Sequence, residues 1–209
     1  MISDGVRIGA ALLVAGPLIG TVCMFYPPFF RVWTVGRAEH LALVVAHRRA
    51  WTMANVGFFV GTALTAGGLA ALAGSLDLAA GPRAILVGGT AAYVIGGALW
   101  SSVLAIRNRT TPLLGEMVAS GTPTEPGEAL LGAALGGLFA AFMVTTGASI
   151  MAIAAGLGVG GAVAAPVASI AALIAALSIV GFIAVGDMLP AVLYPPTLVV
   201  GIAILAGWT

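Results

Sequence analysis

Between Arg83 and Arg107 the chain reads AILVGGTAAYVIGGALWSSVLAI, residues 84–106, with no acidic or basic side chain. A helix of this length rises about 35 Å and crosses the ~30 Å hydrocarbon layer of a bilayer. The arginines mark its two ends. The same texture extends outward from this segment. Of the 209 residues, 61% are hydrophobic and 7% charged, and the mean hydropathy is +1.15, far from the range of soluble domains. Five further apolar stretches, at about residues 5–26, 50–73, 129–154, 162–185 and 188–207, complete an expected set of six spans. The fold class is therefore all-α: an integral membrane protein with one transmembrane domain, a compact bundle of six helices. A separate soluble catalytic domain has no room.

Proline and charge punctuate the spans. Pro27 and Pro28 stop the first, while Thr124, Glu125, Pro126 and Glu128 form a start signal for the fourth, with Thr124 as the capping side chain. Pro195 and Pro196 fall inside the sixth span and predict a kink or break there. An amphipathic cytoplasmic extension from about Ala38 precedes the second span and is expected to run into it as one helix. Arg31, Arg37, Arg48, Arg49, Arg107 and Arg109 lie on one side of this arrangement, and only Arg7 and Arg83 on the other. Short cytoplasmic loops retain positive charge, which places loops 27–49 and 107–127 in the cytoplasm and both termini outside, in a multi-pass cell-membrane protein.

Composition also excludes functions. The net charge of +1 leaves no nucleic-acid footprint. All the basic residues are arginine, so no lysine amine exists to hold retinal or pyridoxal phosphate. Cys23 is the single cysteine, which rules out an intrachain disulfide, and no small-residue cleavage pattern follows the first segment, which reads as a retained helix. His40 and His47 are about 10 Å apart along one helix, the wrong disposition for a bis-histidine haem, and they lack the further ligands zinc requires. No cofactor or metal is expected. Hydrolase, P-loop and paired intramembrane carboxylate motifs are absent, so the sequence carries no support for enzyme activity.

Two kinds of position stand out. Glycines recur on single helix faces, at Gly5, Gly9, Gly16 and Gly20, at Gly57, Gly61 and Gly68, and at Gly132, Gly136 and Gly147, and such stripes let backbones approach in lipid. The second kind is polar. On a continuous helix His40, His47, Trp51 and Asn55 project into one sector, either a polar path or an interfacial cluster whose Asn55 bonds a neighbouring helix. Arg31, Arg37, Arg48 and Arg49 are candidates for lipid headgroups. Asp187, between the last two spans, is either a helix cap or an ion-coupling carboxylate.

The stretches AWTMANVGFFVGTALTAGGLAAL, GGALWSSVLAIR and GDMLPAVLYPPTLVVGIAIL together resemble a class of bacterial multi-pass membrane proteins. The resemblance implies a six-span bundle in a bacterial inner membrane and carries no activity. Three functions follow as expectations. The first is a non-catalytic accessory or structural subunit, packed in lipid beside other membrane chains or copies of itself. The second is a small transporter or channel using Asn55, Thr145, Thr146, Asp187 and the broken sixth helix. The third is an enzyme subunit that depends on a partner's cofactor.

Overall fold

The structure, a computed structural model, describes residues 3–25, 31–32, 34–186 and 188–208. Every regular element among them is helical: α1 Asp4–Phe25, α2 Arg37–Ala46, α3 Arg48–Ser75, α4 Ala80–Ala119, α5 Glu125–Val159, α6 Ala165–Val185 and α7 Tyr194–Ala206, with a 3₁₀ turn over Pro190–Leu193 before α7. Five of them, α1, α3, α4, α5 and α6, are long and apolar enough to cross a membrane. The chain is a multi-pass helical membrane protein.

Successive long helices run antiparallel and pack in chain order, α1 on α3, α3 on α4, and so on to α7, which returns against α1 and closes the ring. Glycine sets several of these separations. A Cβ on Gly9 would stand 2.9 Å from the Gly68 carbonyl oxygen, and one on Gly61 would stand 2.7 Å from that of Gly16, so α1 and α3 meet backbone to backbone. Gly57 faces Cys23 across the same contact. On the other flank of α1, Gly20 lies under the Tyr194 ring, and a Cβ on Gly201 would come within 2.9 Å of the Ala10 carbonyl oxygen. Gly156 approaches the Leu86 backbone at 2.9 Å by the same measure and joins α5 to α4. Gly132 and Gly136 differ, because an added Cβ at either meets nothing within 4 Å. They are not helix contacts; they border open space.

Three further expectations are corrected. The lead from Ala38 does not continue into the second span, because His47, at φ −123° and ψ 39°, interrupts the helix between α2 and α3. The break lets α2 fold onto α4, where Gly115 admits the Leu41 carbonyl and Leu41 is buried, while Val44 is buried with Val32 and Trp51; a straight α2 would carry both side chains away from that cover. The segment after Arg107 is not a loop. Helix α4 runs on through it to Ala119, 40 residues in all or about 60 Å, roughly twice the hydrocarbon thickness, and α5 at 35 residues matches it. Together they form a hairpin that overshoots the other helices at the arginine-rich end. Pro195 and Pro196, finally, do not break a helix but begin one, in the first turn of α7 where no backbone donor is needed. With 13 residues α7 measures about 20 Å.

Helix ends follow local chemistry. Gly186 stops α6 at φ 77° and Gly207 stops α7 at φ 71°, left-handed positions that favour glycine. At the start of α5 the Thr124 side chain makes no capping bond; its hydroxyl donates instead to Glu128 Oε1 at 2.5 Å. The core at the middle of the ring is aromatic. Trp100 and Phe142 stack at 5.0 Å and 20°, and Phe58, Phe139 and Phe182 pack edgewise around this pair or its neighbours. Buried Thr65, Thr90 and Ser178 return their hydroxyls to carbonyls four residues back, so these polar groups are satisfied within their own helices. Thr146 Oγ1 is buried without a hydrogen-bond partner.

Candidate functional site: a basic vestibule under helix α2

At the arginine-rich end, α2 and Val32 cover the mouth of the ring. Beneath them lies a vestibule of 570 Å³, with an adjoining lobe of 320 Å³ between α2, α4 and α5. Its rim carries Arg37 and His40 from α2, Arg107 from α4 and Glu128 from α5, and its floor is apolar, made by Trp100, Phe139 and Met188. Gly132 and Gly136 line the α5 wall, where their missing side chains leave the space open. Small-molecule sites have this size and this division between an apolar body and a few convergent polar groups.

The rim is held by contacts among residues far apart in the chain. Arg37 forms an ion pair with Glu128, whose side chain is only 17% exposed and also receives the Thr124 hydroxyl. Trp51, at 2% exposure, stands between two side chains: the Arg107 guanidinium lies over its ring, 5.4 Å from the centroid, and the His40 ring meets it edge-on at 5.9 Å. His40 Nδ1 lies 3.1 Å from the Val32 carbonyl oxygen. A carbonyl only accepts, so Nδ1 carries the proton and Nε2 of the neutral ring is an acceptor. Burial holds the His40 imidazole below its usual pKa of 6.5; the Val32 bond opposes this, and the positive charges of Arg107 and Arg37 reinforce it.

The helical sector read from the sequence is thus only partly assembled. His40, Trp51 and Asn55 turn inward, but His47 sits at the helix break and is exposed. Asn55 is 6% exposed and its Nδ2 donates to the Trp51 carbonyl at 2.8 Å, a bond within its own helix rather than to a neighbour. It lines a shallow groove between α3 and α4, opposite Asn108, whose Oδ1 is buried without a partner. The arginines considered for headgroups also separate. Arg31 pairs with Glu39 at 2.6 Å and Arg48 with Glu116 at 2.8 Å, both exposed pairs, Arg49 is exposed, and Arg37 alone of the four turns to the vestibule. Asp187 lies outside the described residues, as do Pro27 and Pro28. Arg107 and Glu128 are the site residues that the sequence reading missed. Both stood at span ends, where charge is explained by topology, and nothing in their spacing signals that α2 folds over them. Among the described residues no three metal-ligating side chains converge.

Comparison with protein-family models, with curated proteins and with solved structures finds no match. The site is therefore read from its own geometry.

Proposed function

We propose that this chain is a non-catalytic subunit of a membrane complex, crossing the bilayer six times with its arginine-rich end in the cytoplasm, and that the α4–α5 hairpin is its docking arm. One observation carries the reading: past Arg109 the hairpin extends beyond the bilayer thickness and still leaves Leu113, Val118 and Leu130 at 53%, 45% and 76% exposure. Large apolar side chains outside lipid mark surfaces that a partner covers. The sixth crossing is supported by the path of the last segment, which follows α1 from Tyr194 beside Gly20 to Gly201 beside Ala10. The orientation is supported by six arginines at one end against Arg7 and Arg83 at the other.

Two experiments test this. A cysteine at Ser120, at the hairpin tip, is expected to react with an impermeant thiol reagent in inverted vesicles and not in intact cells; reaction in intact cells reverses the orientation. Native mass spectrometry of material extracted gently from its own membrane is expected to show a stoichiometric second chain or a second copy, lost when Leu113 and Val118 are both replaced by Gln. A monomer throughout removes the subunit reading. A small transporter is the second reading, with the vestibule as its entrance. It requires solute to pass the Trp100 and Phe142 stack, so Trp100→Ala is expected to raise flux in proteoliposomes if it holds.

A further inference from the structure

The outer flank of the ring, between α3 and α4, carries polar groups that the bundle does not use. A groove of 420 Å³ lies there, between Asn55, Val56 and Phe59 of α3 and Ser102, Ala105 and Asn108 of α4, and its edge residues Val56 and Phe59 are exposed. We propose that this groove seats a transmembrane helix of the partner chain, and that the helix presents a carboxamide or hydroxyl side chain to Asn55 and Asn108. The inference rests on the subunit reading and extends its interface from the hairpin arm into the membrane.

The groove is short of donors. Buried Asn55 commits its Nδ2 to the Trp51 carbonyl at 2.8 Å, leaving Oδ1 as an acceptor. The Ser101 and Ser102 hydroxyls donate to the Gly97 and Ala98 carbonyls at 2.7 and 3.0 Å, so each oxygen has only lone pairs to offer. Asn108 Oδ1 is buried and has no hydrogen-bond partner among the described residues. Reversing that amide would strand an N–H₂ in the same place, so a group that both donates and accepts answers either orientation. Phospholipid does not supply one at this depth, because acyl chains do neither and ester carbonyls only accept. A carboxamide or hydroxyl on a neighbouring helix does both, and such side chains join helices in lipid. Ser101, Ser102 and Ala105 also keep the α4 wall small, which lets a third backbone come close. The face of α4 that carries Ser102 and Ala105 continues at helical spacing through Arg109 to exposed Leu113 on the hairpin arm. One partner can therefore follow α4 from the bilayer to the arm.

The test keeps the full chain in its own membrane. A photo-crosslinking amino acid is placed at Val56 on the groove edge or, as a control, at exposed Leu173 on α6, and after irradiation the adducts are sequenced by mass spectrometry. Val56 is expected to capture one second chain, within an apolar segment of about 20 residues and within one helical turn of a Ser, Thr, Asn or Gln. Ala105→Phe fills the groove from an exposed position and is expected to abolish that adduct. Asn108→Leu is expected to lower its yield about threefold, the weight of one interhelical hydrogen bond in lipid. Should either variant misfold, capture at Val56 in the parent decides. Lipid adducts alone, capture of a second copy of this chain, equal capture at Leu173, or an adduct unchanged in both variants overturns the proposal. If a partner is still released by the double replacement of Leu113 and Val118 while Val56 captures only lipid, the subunit reading stands and the groove assignment alone falls. A monomer throughout removes both.

Discussion

Replacing Gly61 with alanine probes a close backbone approach between α1 and α3. The new methyl would lie 2.7 Å from the Gly16 carbonyl oxygen and 3.3 Å from the Gly20 nitrogen, and both of these are backbone atoms that no rotamer change can move away. Ordinary contact begins near 3.4 Å, so α1 has to withdraw by about 0.7 Å along this stretch. It has little room to do so, because α7 presses on its other face through Gly201 and the Ala10 carbonyl. Overpacking of this kind costs about 1–3 kcal/mol, against which alanine recovers ~0.5–1 kcal/mol of backbone entropy in a helix. The expected net loss is roughly 1–2 kcal/mol. Gly88→Ala is the control, since a Cβ at Gly88 meets nothing within 4 Å, and it is expected to gain ~0.5–1 kcal/mol. Both are measured by reversible unfolding in mixed detergent micelles, followed by circular dichroism. The reasoning fails if Gly61→Ala proves as stable as Gly88→Ala.

Two further outcomes follow from the vestibule. Trp51→Ala is expected to destabilise the chain by about 3–5 kcal/mol in the same assay, the cost of emptying a buried aromatic site, whereas a tryptophan resting at headgroup level would lose far less. A loss below ~1 kcal/mol would place Trp51 in contact with lipid or water. His40 is expected to titrate below 6.5 by carbon-detected NMR of the imidazole ring. The folded state then binds fewer protons than the unfolded one, so its contribution to stability is complete above pH 6.5 and declines as the pH falls from there through the depressed value. His40→Gln removes that slope; a midpoint at or above 6.5 in the parent contradicts the burial.

The stretches that lipid alone dictates were legible, because a run such as residues 84–106 has one stable solution in a bilayer. What lies beyond the bilayer was not. Residues 107–119 read as a polar loop because hydropathy reports solvent, not backbone, and the charged RNR run ended the apolar segment without ending the helix. Packing between α4 and α5 sustains that helix, and no local pattern records it. Glycine periodicity was informative in the same partial way. The stripe on α1 does face Gly61 and Gly68, yet the equal stripe at Gly132 and Gly136 faces a cavity, since spacing fixes a face and leaves its neighbour undefined.

The helix break at His47 had the largest consequence for the site. A straight helix from Ala38 would have carried His40 away from the ring, with Arg37 still farther out. Folding α2 back instead sets His40 against the ring of Trp51, eleven positions on, and puts Arg37 within reach of Glu128, 91 positions later. The vestibule therefore depends on a turn that the hydrophobic pattern does not encode. Leu41 and Val44 supply the reason for it, because each is covered only when α2 lies on the bundle. Making Leu41 polar should accordingly release α2 and open the vestibule while leaving the transmembrane helices in place. A Leu41→Gln variant with parental helix content, a proteolytically sensitive segment around His47 and a His40 titration midpoint returned toward 6.5 is the expected result. Protection at His47 equal to the parent's would show that something other than these two apolar contacts holds the lid down.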